Sequence, residues 1–595
     1  MNKIRKYTAG LLSVLCLSAA SCDVLDVEPT GSYSETTAYS SLSNLDLYAK
    51  YFYGVLYANA DIACGSSCLM DDGATDLVKY SWYGVSAGAM NRFFYQPNYV
   101  TEQSNFRSNW SAMYTWISKL NEYLEDLNKG LIRLDPDQVK IRTAEVRFLR
   151  AFAYQELVIR HGGVILRNSD TAVDGPDERA KARSTEEECW DFIIGEYRKA
   201  EADLPASWEA AEAGRLTKGA AWGMIARASL YAERWGDAVT ACDEVLKLGY
   251  DLLPGKTAAD YYKIFSTPNN QELIIPVYFQ SGISMKQHNF NTYFCPPYDG
   301  QPYGAADKVG ASATPTDEYA SSFDIRVGGS YEAFDWDNLS KYGNKPFDNR
   351  EPRFYASILY NDATWIGRKL ELYAGGKDNY MDFSITGQDN VHKSTTGYIF
   401  RKFMDDSGKV NFTNILSGTY WTEMRLAEIY LIRSEAYARQ NQFGPAYEDL
   451  RTIRDRVGLP VLAQKGNWQD YLHDLAKERI CELGLEGHRF FDLVRWGIAV
   501  ETLNNKRLHG VKITRTGDGF SYERVECDTQ DRLFPEKYTI FPIPYTSCRT
   551  IRCASRTRSG NNLTNHSIRD NYENATFDYR TVRIGAGPRG LRGSG

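Results

Sequence analysis

Histidine is scarce in this chain, with 7 in 595 residues. None of them falls in an HExxH pattern and no paired CxxC is present, so zinc-hydrolase chemistry has no local motif, and serine-hydrolase chemistry is not expected either. Basic charge is also short: 69 Lys and Arg stand against 76 Asp and Glu, a net charge of −7. A nucleic-acid partner would call for a basic surface and is not expected. Long apolar runs are missing too. The longest, Ala9–Ala20, is too short to span a bilayer, so no transmembrane helix is expected. Cysteine offers no complete framework. Of 11 cysteines, Cys16 and Cys22 sit at the extreme N-terminus, and the odd remainder cannot all pair. Cys64 and Cys68 are close enough for a local disulfide, but spacing alone does not supply the geometry. At this length a fold that depends on disulfides is unnecessary. No metal and no cofactor are expected.

What is present is ample material for a core. Hydrophobic residues make up 43% of the chain and charged residues 24%, which excludes general disorder. Length alone suggests several domains, yet helical-repeat scaffolds grow as one unit. Tyrosine is the outlier. The 41 Tyr and 12 Trp are side chains that pair an apolar face with a polar tip, suited both to sugar faces and to filling cores.

The N-terminus reads as an export signal. Lys3, Arg5 and Lys6 precede the apolar run, which has the length of a signal-peptide core. It ends in Leu17-Ser18-Ala19-Ala20-Ser21-Cys22, similar to a bacterial lipobox with Cys22 as the lipid-bearing residue. Plain secretory cleavage after small residues is the alternative.

The segment 477–497 packs charge and apolar residues into one stretch. Ile480, Leu483 and Leu485 fall near one helical face, Gly487 can stop the helix, and Phe490, Phe491, Leu493 and Val494 restart it. Glu486, Arg489, Asp492 and Arg495 recur every three residues, so opposite charges can meet along one face or on neighbouring helices. His488 between Glu486 and Asp492 could instead be read as a general base.

Elsewhere the N-terminal half is mostly helical. Val146, Leu149, Ala153 and Leu157 follow a helical period that Gly162-Gly163 ends. Gly214–Lys218 opens a helix whose Ala220, Ala221, Ala226 and Ala228 admit a close partner bearing Trp235, Ala238, Val245, Leu246 and Tyr250. The pattern is that of a tetratricopeptide-type hairpin. Residues 425–438 with Ala446, Leu450, Ile453 and Val457 repeat it. No continuous array is expected, because the two units lie far apart. Between them Gly, Pro, Asn and aromatic residues dominate, with short strand-like runs such as Leu273–Phe279.

Three of these segments carry a family resemblance. The run from Glu478 to Gly497, the run from Ala144 to Gly163, and the lipobox with its acidic follow-on Asp23–Thr30 resemble the SusD/RagB family of surface nutrient-binding lipoproteins. Asn349–Phe354 and Thr396–Phe403 look like further landmarks. The resemblance implies a mostly α SusD-like fold with tetratricopeptide-type hairpins and a loop-rich, irregular second half with short strands. Residues 1–21 would be the signal peptide and 22–595 a single domain. Its helical scaffold would cover about 35–253 and 420–500, with a loop-rich ligand face over about 254–419. Residues 548–595 form an atypical, Arg-rich tail without lysine, either a divergent extension or the product of a frame shift near Ser547. The resemblance further implies capture of an oligosaccharide at the cell outer membrane, exterior-facing and lipid-anchored through Cys22, and delivery to a SusC-like TonB-dependent transporter that the protein caps. Ligand loops in the family follow the acidic pair, here Asp71-Asp72, and recur in the middle region. On those loops stand Trp82, Tyr83 and Asn91, and Tyr293, Tyr298 and Tyr303. Aromatic rings stack on pyranose C–H faces while amides and carboxylates meet hydroxyls, and Asp299 is one such neighbour. Competing readings are a surface glycoside hydrolase and a lid of this family for peptide or another non-glycan nutrient.

Overall fold

The computed structural model describes residues 35–60, 70–80, 93–95, 109–167, 181–280, 288–303, 309–381, 392–408, 417–517 and 519–544. Cys22, Cys64, Cys68 and the tail from 545 onward lie outside this set. Helix α1 (Leu42–Phe52) starts where Ser41 accepts the Asn44 N–H through its hydroxyl. Helices α2 (Trp110–Asn128), α3 (Pro136–His161), α4 (Glu186–Asp203), α5 (Lys218–Tyr231) and α6 (Trp235–Leu246) follow. Their starts are written in the sequence. Asp135 accepts the Gln138 N–H with Pro136 in the first helical position, Thr185 and Glu188 close a reciprocal capping box, and Thr217 caps α5. Helix α3 stops at Gly162, at φ 68°.

These helices stack in succession: α2 on α3, α3 on α4, α4 on α5 and α5 on α6. The small residues Ala220, Ala221, Ala226 and Ala228 are buried, as their spacing predicts. Helix α7 (Ala258–Ser266) leads into a strand, and the array resumes with α8 (Leu426–Arg439), α9 (Phe443–Arg456) and α10 (Trp468–Leu483). Here the structure corrects the expectation of two separate units. Helix α6 packs directly on α8, and α8 on α9 and α10, so the two hairpins are neighbours in one stack. Arg433 of α8 donates to Asp243 of α6 at 2.6 Å, and Arg227 of α5 grips Glu428 of α8 through two bonds of 2.8 Å.

The chain makes its excursion between them from a two-stranded base. Taking β1 as Val78–Tyr80, β2 as Leu273–Val277, β3 as Ala313–Pro315 and β4 as Trp421–Arg425, β2 and β4 run antiparallel with Trp421 opposite Val277. The backbone therefore leaves the array and re-enters it side by side. Every sheet among the described residues is two-stranded, including the hairpin of β5 (His509–Thr516) and β6 (Gly519–Glu526). One cluster of buried apolar side chains extends from Leu45 to Ile543. No helix among the described residues is long and apolar enough to cross a membrane.

Helix α10 ends earlier than Gly487. It stops at Leu483, where the Gly484 N–H bonds Ile480 O, and a Cβ on Gly484 would sit 2.6 Å from the Tyr319 ring. The chain then turns through Leu485 at φ 70° and Gly487 at φ 80° into α11 (Arg489–Arg495). Leu485 is fully buried, so its apolar contacts offset a backbone cost of about 1–3 kcal/mol.

Candidate functional site

Two regions attract attention, the corner after α10 and the loop face. At the corner, Arg425 is fully buried and serves as a hub. It donates to Glu272 and Glu482 at 2.7 Å each, and to both Glu486 oxygens at 2.8 Å. Lys402 adds a bond of 2.7 Å to Glu486. Burial pushes the Glu486 carboxyl up, but Arg425 and Lys402 outweigh it and hold it at about 2. Asp492 is likewise held at about 2 by Arg479 and Arg495 against its burial. Arg489 does not pair within its own helix; it reaches Asp76 at 2.9 and 3.0 Å. Arg353, from the short helix Pro352–Ser357, donates to Glu351, Glu478 and Glu482, tying the excursion to α10.

His488 is therefore not poised as a base. Its Nε2 lies 3.9 Å from Glu428, which Arg227 already occupies, and desolvation lowers its pKa to about 4 despite that carboxylate. The adjoining cavity is about 40 Å³, lined by Asp71, Arg160, Arg227, Glu423, Glu486 and His488 among others. That is room for ordered water and too little for a sugar.

On the loop face, Phe290–Phe294 forms a short helix and Pro297–Tyr303 a 3₁₀ turn. Tyr293 is half-buried beside Phe294, with ring centroids 6.4 Å apart. Tyr298 is half-buried under two cations, the Arg368 guanidinium at 5.3 Å and the Lys377 ammonium at 5.9 Å from its ring centroid. Tyr303 closes the 3₁₀ turn, and its side chain lies outside the described set. Asp299, read from sequence as a hydroxyl partner, is already committed. It accepts from Trp365 Nε1 and from Arg368, each at 2.7 Å, while Arg368 also grips Asp378. Burial pushes the Asp299 carboxyl up against the pull of Arg368. Its task is to hold the segment that presents Tyr298.

Trp82, Tyr83 and Asn91 lie outside the described residues, but both ends of their segment are fixed. Strand β1 pairs with β3, placing Tyr80 opposite Ala313. The neighbouring Ser312 N–H donates to Tyr293 O at 2.8 Å. The two candidate ligand segments thus spring from adjacent backbone. Beyond the gap, Phe93 packs edge-on to Phe534, and Leu533 N–H donates to Phe94 O. Lys79 on one side and the Tyr95 hydroxyl on the other both donate to Asp528 Oδ1. Burial pushes that carboxyl up, but Arg532 and Lys79 prevail and hold it well below the usual range. Sequence reading missed Asp528, and no local pattern marks it. It also passed over Gly84-Val85-Ser86-Ala87-Gly88, which has the GxSxG spacing of a serine-hydrolase elbow. That motif works only on a tight strand-to-helix turn, and Ser86 lies outside the described residues.

Comparison with known proteins places these features in context. Residues 271–550 match the model described as the SusD family, and residues 25–230 match one described as starch-binding associating with outer membrane. A SusD-like protein P25 from Formosa agariphila is 21% identical over 82% of this chain and 90% of its own. A solved SusD-like protein from Bacteroides fragilis superposes with a TM-score of 0.71 at 26% identity, covering 89% of this chain and all but 1% of that one. Another, titled a laminarin-binding SusD-like protein, gives a TM-score of 0.60 at 21% identity over 86% of this chain and 98% of its own.

Proposed function

The chain belongs to the SusD family, and from that premise we propose that it captures an oligosaccharide at the outer surface and passes it to a SusC-like TonB-dependent transporter, anchored by lipid on Cys22. Capture is binding without bond cleavage. The observation that carries this reading is the shared root of the two aromatic segments. Tyr80 faces Ala313 across β1 and β3, and the next residue, Ser312, holds Tyr293. The backbone from which residues 82 and 83 depart thereby adjoins the segment that carries Tyr293 and Tyr298, which supports one aromatic platform of the kind a flat pyranose face requires. The starch-binding description of one matching model and the laminarin-binding title of a structural neighbour support a carbohydrate as ligand.

The corner and the loop face both argue against cleavage. A glycoside hydrolase needs two carboxylates facing each other across a substrate, one of them free to carry a proton. Asp299 and Asp378 instead share one arginine, and the acids around His488, Glu423 with its raised pKa included, line a cavity of about 40 Å³ that admits no sugar. Calorimetry with starch- and laminarin-derived oligosaccharides, followed by chromatography of the same mixtures, tests the proposal. Saturable heat with unaltered sugar is expected. Shortened products would overturn capture in favour of hydrolysis, and heat released only by peptides would move the ligand class.

A further inference from the structure

A cleft of about 570 Å³ opens between α1, the turn at 211–214 and the end of β2, and neither Tyr293 nor Tyr298 lines it. Its size falls within the roughly 300–1,000 Å³ of small-ligand sites. One wall is aromatic and held still. Tyr278 donates its hydroxyl to Asn269 Oδ1 at 2.7 Å and accepts the Asn269 N–H at 2.9 Å. Its ring lies against Gly214, which stands at φ 92° and whose added Cβ would come within 2.7 Å of that ring. Tyr57 donates to Tyr278 O at 2.7 Å and meets Phe279 edge-on at 5.3 Å. Phe279 is braced in turn by His288 at 5.0 Å. These rings keep their places without a ligand, so little order would be lost on binding.

The other side is polar. Lys50 bonds Glu212 at 2.8 Å and Asp46 at 2.9 Å, with Lys50 39% and Glu212 32% exposed. Beneath them Arg215 is buried and grips Asp46, Glu145 and Glu212. Lys50 and Arg215 take part of the Glu212 acceptor capacity, but unlike the enclosed Asp299 this carboxylate is open to solvent. Its remaining lone pairs and the exposed Lys50 ammonium offer an acceptor and a donor side by side, which is what vicinal hydroxyls require, since each hydroxyl both gives and takes a hydrogen bond. An apolar side chain placed there would strip water from that pair without replacing its bonds.

We propose that this cleft is a second saccharide subsite, stacking a hexopyranose on Tyr278 and Phe279 with its hydroxyls on Lys50 and Glu212. The proposal rests on the glycan-capture reading and extends the ligand beyond the two loops. It is tested on the mature full-length chain by calorimetry with maltoheptaose, laminarihexaose, cellohexaose and mannohexaose. The loop variant Trp82→Ala/Tyr293→Ala is expected to keep weak binding of the probe that the parent binds. Adding Phe279→Ala should weaken that remainder about tenfold. Glu212→Gln, which preserves shape at the rim and leaves Arg215 its Asp46 and Glu145 partners, should weaken it severalfold while the chain still unfolds in one cooperative melting transition. Loss of all binding in the loop variant alone, or residual binding indifferent to Glu212→Gln, overturns the subsite and leaves capture standing. A parent chain that binds none of the four probes overturns both for neutral hexose glycans.

Discussion

Gly487 donates its backbone N–H to Asp72 Oδ2 at 2.8 Å across 415 residues of sequence. The acidic pair that precedes one candidate ligand segment is thus docked on the corner that ends α10. Asp71 does likewise, accepting from Arg160 of α3 at 3.0 Å. The candidate ligand side and the scaffold are held together by buried ions, and each ion pair sets a measurable expectation.

Asp492→Ala leaves Arg479 buried without its carboxylate, and Arg489→Ala strands Asp76. Breaking one side of a buried pair costs about 3–5 kcal/mol. A denaturant titration should show both variants losing stability on this scale while the folded fraction keeps its ligand affinity. Losses below about 1 kcal/mol would mean that solvent screens the corner.

His488 sets a pH window. Its folded pKa of about 4 lies below its ordinary value of 6.5, so the unfolded chain binds the extra proton between these limits. Stability contributed by the neutral ring is complete above about 6.5 and declines as pH falls toward 4. The buried Glu423, raised to about 7 chiefly by desolvation, slopes the other way over part of that range, so the informative quantity is the difference between parent and variant. His488→Gln should destabilise the protein less at pH 4.5 than at pH 7.5. An equal penalty at both values contradicts the buried neutral imidazole.

How much of this was legible beforehand follows from range. Helices α3 and α5 could be read because their caps at Asp135 and Thr217 and the stop at Gly162 are local. Three-residue spacing correctly flagged Glu486, Arg489 and Asp492 as paired. It did not name Arg425, Asp76 or Arg479 as partners, because spacing within one helix holds no information about the helix opposite. The stacking of α6 on α8 was hidden for the same reason, by the excursion between them. Asp299 looked like a sugar ligand because its partner Arg368 lies 69 residues further along the chain, a pairing that the sequence does not display. The stop of α10 was misplaced by three residues, at Gly487 instead of Gly484, since the Tyr319 ring that requires Gly484 comes from a distant element.

Ring stacking gives the affinity expectation. Tyr293→Ala and Trp82→Ala should each reduce binding of the cognate oligosaccharide by roughly 1–3 kcal/mol, in line with aromatic stacking on other flat ligands. Exposed loop aromatics contribute little to the core, so the thermal midpoint of Trp82→Ala should hold, whereas Tyr293→Ala, which removes a half-buried ring packed on the core, should lower it modestly. Unchanged affinity in both variants would remove these segments from the site.

Attachment is separable from binding. Cys22→Ala should move the protein from the membrane pellet to the soluble fraction in detergent-free buffer, because lipid on that residue is its proposed hold on the membrane. Identical fractionation of parent and variant would rule out the anchor.

The stacking of α6 on α8 also has a consequence in time. During synthesis the first helices emerge with the face of α6 uncovered, and the partner that covers it begins only at Leu426. Until then Arg227 lacks Glu428, and Glu272 lacks both Arg425 and Arg456. Pairings so remote in sequence form slowly and leave an adhesive intermediate. The newborn chain must therefore be shielded until its last third arrives, and a nonsense truncation before residue 426 should yield aggregate rather than a smaller folded scaffold.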